Sequence, residues 1–270
     1  TGSLTGGKVS GYADGGNGLN ISNAVLSDTS LSGTTQTGKG TVVAGSLKAD
    51  ANSSVSGTAT EDGGDGVSVS GSVTGGKTEG HATGGTAVSV AEGSTFTDTV
   101  VNGEATTGTG VSVAGEATLT NAVLNGTTQT GTGAAISGTF TGDKTSQVTG
   151  VATQNGGTGV TVSGSVTGGK VDGHATSGAG VHLDTGTTLN NVAVSGGTES
   201  GKGVDIAGGL VSTGATTIAG HSTGAGTGVD VAGNITGGSV TGNADGTGTG
   251  VTVSGQNVTV SDVVVSGNTE

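Results

Sequence analysis

The sequence predicts an all-β protein, a right-handed parallel β-helix (β-solenoid) of about eleven coils with 21–26 residues each. Residues 160–183 and 67–90 match at 16 of 24 positions, 93 residues apart, which indicates an internal repeat. Within each repeat, small or branched aliphatic residues alternate with polar ones, as in a half-buried strand. With 62 glycines, three aromatic residues and no tryptophan, the interior must be thin and formed by many short strands.

The first strand of each coil follows the approximate pattern Gly-x-Gly-Val-x-Val-x-Gly. Four consecutive units make up the 93-residue superrepeat. In a solenoid each unit is one coil, so equivalent positions stack on one another. The first inward position of this strand, usually apolar, is predicted to stack at Leu19, Thr41, Val67, Val88, Val111, Ala134, Val160, Val181, Val204, Val229 and Val251.

Residues 160–175 show how one coil is built. They form three short extended segments separated by glycines, which adopt turn conformations that other residues avoid. No segment is long enough for an independent hairpin, so each strand must pair with the same strand of the next coil. We predict inward side chains at Val160, Val162, Val166, Val171 and Ala175, and bends at Gly164, Gly168 and Gly169.

Other architectures fit the sequence less well. Asn-Gly hairpin signals do not occur once per unit, which disfavours a hairpin-based barrel or propeller. Collagen is excluded because glycine has no three-residue period and proline is absent. Glycine abundance is also typical of disordered chains, but the constant phase of the apolar residues favours a folded rod. In so narrow a coil, Phe96 and Phe140 are each expected to need a local widening or an exposed face.

The chain begins and ends inside repeat units. We therefore expect residues 1–270 to form one β-solenoid domain that is truncated at both ends from a longer array. The open edges of its first and last coils favour end-to-end or lateral self-association.

Charge and composition restrict the partners. The net charge is −13 and all seven cationic residues are lysines. Without arginine or aromatic platforms, the chain is not expected to bind nucleic acid. No apolar run approaches the length of a membrane helix, so direct membrane insertion is not expected either. No cysteine is present for disulfides or thiolate metal sites.

One outward column carries concentrated charge. His182, Asp205 and Asp230 each lie between the two inward residues of their strand, and are predicted to stack on consecutive coils about 4.8 Å apart. Stacked aspartates repel unless something neutralises them, so these three residues are candidate ligands of a cation. The alternative is a solvated acidic strip with a histidine beside it. We favour this alternative and assign no metal and no cofactor.

The sequence offers no catalytic residues, and we expect no enzymatic activity. Glu79 and Asp172 occupy equivalent positions, but four coils apart, or about 19 Å, which is too far for a catalytic pair of carboxylates. His81 and His174 occupy equivalent positions of two repeats. A repeated position is more typical of a turn or a ladder than of a ligand.

The units GTGVTVSG, SVTGGK and GTGVDVAGNITGG resemble the repeat regions of large bacterial secreted adhesins. These are autotransporter passengers and two-partner-secretion proteins of the filamentous haemagglutinin type. The resemblance covers the whole chain and lies in the style of the repeats. It implies an extracellular virulence factor, a β-helical rod at the bacterial cell surface that is secreted across the outer membrane.

We therefore expect a structural and adhesive rod that mediates attachment or carries a binding tip as a stalk. Expected partners are a host-cell or surface receptor, a glycan, or an adhesin on a sister cell. The alternative is a carbohydrate-binding or carbohydrate-cleaving β-helix, similar to a phage tail spike or polysaccharide lyase.

Overall fold

The computed structural model describes residues 2–254 and 258–269. These residues form strands and no helix, and the strands pair in parallel to make a β-solenoid of about twelve turns. The predicted fold class is therefore confirmed. No helix with the length and hydrophobicity of a membrane span is found among the described residues.

Each coil contributes one strand to each of three faces, called here A, B and C. Face A is an eleven-stranded sheet, while faces B and C are joined into one 22-stranded sheet because β1 (Gly2–Ala13) and β3 (Ala24–Thr35) run through both. Face A contains β2 (Asn17–Ile21), β4 (Lys39–Val43), β7 (Asp65–Val69), β10 (Thr86–Val90), β13 (Thr109–Val113), β16 (Thr132–Ile136), β19 (Thr158–Val162), β22 (Ala179–Leu183), β25 (Lys202–Ile206), β28 (Thr227–Val231) and β31 (Thr249–Val253). Face B contains β5 (Ser46–Ala49), β8 (Ser72–Thr74), β11 (Ser94–Thr97), β14 (Ala117–Thr120), β17 (Thr139–Gly142), β20 (Ser165–Thr167), β23 (Thr188–Asn190), β26 (Leu210–Thr213), β29 (Ile235–Thr236) and β32 (Val260–Ser261). Face C contains β6 (Ser54–Ala59), β9 (Lys77–Ala82), β12 (Val100–Ala105), β15 (Val123–Thr128), β18 (Gln147–Ala152), β21 (Lys170–Ala175), β24 (Ala193–Thr198), β27 (Thr217–Ser222), β30 (Ser239–Ala244) and β33 (Val264–Thr269).

The register of face A agrees with the prediction at every coil. All eleven predicted positions, from Leu19 to Val251, pair with one another in order. The inward assignments also hold, since Val160 and Val162 are 0% exposed. The predicted inward residues of the other two faces, Val166, Val171 and Ala175, are buried as well. Parallel pairing of identical units fixes the register because a slip by one residue would turn each apolar column outward.

Both phenylalanines lie inside the solenoid and are 0% exposed, so neither needs an exposed face. Phe140 pairs with Ala117 of the preceding coil, and Gly142 pairs with Leu119. The large ring therefore stacks on a small side chain, and the glycine leaves space beside the ring. Local exchange of large and small residues fills the interior at constant density.

An unbroken column of twelve glycines runs along face C. In all of them except Gly267, an added Cβ would overlap a carbonyl oxygen of face A, as Gly173 would with Gly180. Faces A and C are therefore in direct backbone contact along this line, which separates a small cluster of Ala82, Ala87 and Ala105 from the main core. The column consists of Gly11, Gly33, Gly57, Gly80, Gly103, Gly126, Gly150, Gly173, Gly196, Gly220, Gly242 and Gly267.

In most coils, the corner between faces B and C has a left-handed backbone conformation. Gly168 and Gly169 have φ of 70° and 74°, which confirms the predicted turn. Other coils place Asp98, Asn121 or Asn191 at this corner, with φ between 48° and 53°. Aspartate and asparagine are the residues that tolerate this conformation best after glycine.

Candidate functional site

The charged column on face A is assembled as predicted. His182 pairs with Asp205, and Asp205 pairs with Asp230, on three consecutive coils. The ring nitrogen Nδ1 of His182 lies 2.9 Å from Oδ2 of Asp205. The side chains of the two aspartates are only 17% and 15% exposed, so their charges require nearby compensation.

Lys202 supplies that compensation. Its Nζ donates to Oδ1 of Asp205 at 2.8 Å and lies 2.6 Å from Oδ2 of Asp230. The lysine is the first residue of β25, three residues from Asp205, and reaches both carboxylates. The chain itself therefore supplies a positive charge between the two stacked carboxylates. Oδ1 of Asp230 is buried and accepts no hydrogen bond.

The network shifts the pKa values of His182, Asp205 and Lys202. The hydrogen bond with Asp205 raises the pKa of His182, while burial and the charge of Lys202 oppose the shift. The same bond is the main cause of a lowered pKa of Asp205, reinforced by Lys202. Burial lowers the pKa of Lys202, but its bonds to the two aspartates outweigh that effect and the net shift is upward. The three groups therefore favour their charged forms together.

No group of three or more histidine, cysteine or acidic side chains has the proximity of a metal site, within residues 2–254 and 258–269. The column contains one histidine and two aspartates, with the ammonium of Lys202 between the aspartates. The ion pairs of this column link three consecutive coils.

The other histidines each lie near a carboxylate. His81 Nδ1 is 3.4 Å from Glu104 Oε2 on the next coil, and His221 Nε2 is 3.0 Å from Asp245 Oδ1. His174 Nε2 lies 3.3 Å from Asp172 Oδ1 on its own strand, and this contact raises the pKa of His174 against the opposing effect of burial.

Glu79 and Asp172 belong to one column of face C, separated by three intervening coils. The predicted spacing of four coils, about 19 Å, is therefore present in the structure. Glu79 lies 2.7 Å from Lys77 and Asp172 lies beside His174, so each carboxylate has its own local partner.

A long groove follows the edge where the face C strands end, and it is called here the corner groove. Two segments of about 610 and 480 Å³ meet at Thr153 and together span eight consecutive coils. At the coil spacing of about 4.8 Å, this is a length of about 34 Å. One wall is the column Thr58, His81, Glu104, Thr127, Val151, His174, Gly197 and His221; the other is Thr60, Thr83, Thr106, Gln129, Thr153, Thr176, Glu199 and Thr223.

Sequence reasoning missed this groove. Its two walls are the residues one and three positions after each face C glycine, as His174 and Thr176 are after Gly173. The fixed offset is visible in the sequence as GHAT, GEAT, GVAT and GHST. What the offset does not indicate is that the chain turns there and leaves a concave surface between the two columns.

Three comparisons with known proteins, by family model, by curated sequence and by solved structure, give no match to this chain.

Proposed function

We propose that this chain is an adhesive rod or stalk at a bacterial cell surface, where it mediates attachment or holds a binding tip away from the cell. The observation that carries the proposal is the uninterrupted parallel register from β1 to β33, which makes a rod of about 50 Å. The length of such an array is set by the number of coils, because each coil contacts only its neighbours. The net charge of −13 keeps rods from collapsing on one another.

The resemblance of the repeats to secreted adhesins supports the extracellular location, and the absence of cysteine is in keeping with it. Among the described residues, most of the exposed large apolar side chains lie in the first and last coils, such as Leu4 and Val264, and few lie along the middle of the rod. Attachment then depends on polar contacts along the rod or on a tip that it carries.

Deleting one superrepeat tests the spacer role. Removal of residues 67–159 joins Gly66 to Val160, which continues the same strand pattern. We expect a folded protein shorter by four coils, or about 19 Å, by small-angle scattering. A matched deletion of residues 67–149 joins different faces and should disrupt the fold. Loss of folding in the in-register deletion would contradict the proposal.

Beads coated with the purified protein test the adhesive role. If the coils themselves adhere, these beads should bind cultured epithelial cells or a bare glass surface more strongly than albumin-coated beads. Equal binding would contradict adhesion by these coils, and the deletion experiment would then decide the stalk role alone.

A further inference from the structure

We propose that the corner groove binds an extended, uncharged glycan along the axis of the solenoid. This inference is independent of the proposed role as a rod. If the protein folds as a rod of the expected length but binds no glycan, only the inference about the groove is contradicted.

The shape of the groove selects a linear polymer. It is open along eight coils, and the same two wall positions recur at every coil. The wall positions recur at the coil spacing of about 4.8 Å along the whole groove. Successive units of a linear polymer would therefore meet the second wall, which is mostly threonine, at every coil, while the first wall varies in chemistry from coil to coil.

The walls present side chains that hydrogen-bond to hydroxyl groups. His81 and His221 each use one ring nitrogen toward a carboxylate, Glu104 or Asp245, which orients the ring and leaves the second nitrogen for another partner. Both rings are about half exposed. Glu104 itself is 69% exposed and can accept further hydrogen bonds.

An extended peptide fits the groove less well. An extended peptide commonly binds a β-sheet by adding a strand to an open edge, which requires free backbone groups. Here the backbone is already paired between coils, since the amides of Thr106 and Thr153 donate to Ala82 and Thr128 at 3.0 Å. Sugar hydroxyls need only side-chain partners and so match what this surface offers.

Charge excludes anionic polymers. Glu104 and Glu199 line the groove, and no lysine lines either segment. On a chain with a net charge of −13, uronic acid or sulfated chains would be repelled.

The threonine side chains of the groove are held in place by the backbone. The hydroxyls of Thr83 and Thr176 donate to the carbonyls of Thr60 and Thr153, which fixes these side chains before any ligand arrives.

Titration of the full chain with cellohexaose, N-acetylchitohexaose and hexagalacturonate tests the proposal. At neutral pH, at least one of the two uncharged hexaoses should shift the backbone amide resonances of Thr106, Thr153 and Thr176, and hexagalacturonate should shift none of them. No binding of either uncharged hexaose, equal binding of the anionic one, or shifts confined to another face would overturn it. Tighter binding of a lysine-rich peptide at these residues would instead assign the groove to a protein partner.

A pair of matched substitutions locates the site. Thr153→Arg places a long side chain where the two segments meet and should weaken hexaose binding by about tenfold or more. Thr118→Arg is the control, because Thr118 is exposed on face B and lies outside the groove; it should change affinity by less than about twofold. Equal affinities of the two variants would contradict binding in the groove, and their amide spectra report whether each remains folded.

Discussion

The backbone of Gly173 on face C lies directly against the carbonyl oxygen of Gly180 on face A, so that a Cβ on Gly173 would overlap this oxygen. Neither backbone can withdraw, because each is paired with the coils on both sides. Gly173→Ala should therefore destabilise the protein by about 1–3 kcal/mol through overpacking, measured as a lower urea midpoint.

Gly209→Ala is the matched control for this substitution. A Cβ at Gly209 meets no atom within 4 Å, and its effect should stay within about 0.5 kcal/mol. Similar losses for both variants would contradict overlap with the Gly180 carbonyl as the cause.

Val162→Asp tests the inward assignment of face A. Val162 is 0% exposed, so the carboxylate would be buried without a partner and should cost more than about 3 kcal/mol. The neighbouring Thr161 points outward and pairs with His182, so Thr161→Asp should leave the thermal midpoint nearly unchanged. The reverse order of the two effects would contradict the assignment.

Lys202→Met tests the source of charge compensation at the face A column. Without the ammonium group, the carboxylates of Asp205 and Asp230 on adjacent coils repel each other. We expect the free energy of unfolding to decrease by about 1–3 kcal/mol. Adding Asp230→Asn should restore most of the loss, because it removes the repulsion. Lys48→Met, on the exposed side of face B, is the control. Full stability of the single Lys202 variant would contradict this account.

The raised pKa values of His182 and His174 predict how stability depends on pH. A folded chain that holds these protons more tightly gains stability below the unfolded pKa of about 6.5, and loses it as pH rises through the folded values. The thermal midpoint should therefore decrease as the pH rises from about 6 to about 8. The fall should be smaller in the double variant His182→Gln, His174→Gln. An identical fall in the variant would assign the pH dependence to other groups.

Asn121 tests the corner between faces B and C. Its φ of 48° suits asparagine or glycine, and equivalent corners carry Gly75 and Gly168. Asn121→Gly should change stability by less than about 0.5 kcal/mol, although it loses the bond from Nδ2 to Asp98 Oδ1. Asn121→Ala loses the same bond but adds the strain of a left-handed residue, and should cost about 1–2 kcal/mol. Equal effects would contradict strain as the cause.

The sequence predicted the coils, the register of face A and the column of His182, because translation by one unit preserves the phase of every residue. It did not reveal the glycine column, since glycine within a strand is more often interpreted as a break than as a contact. The reach of Lys202 to two carboxylates also escaped prediction, because it depends on side-chain length across coils. Burial of Phe140 depended on a local shift of register, which places Phe140 against Ala117 and Gly142 against Leu119.

The glycine column of face C has an evolutionary consequence. Every amino acid other than glycine carries a Cβ, so at eleven of these positions each missense change in a glycine codon introduces the same clash. The outward residues beside them, such as His174 or Glu104, have no such restriction. Copies of the repeat can therefore diverge at outward-facing positions while their glycines stay fixed. Duplication of a coil can therefore change the outer surface of the rod without new requirements for folding.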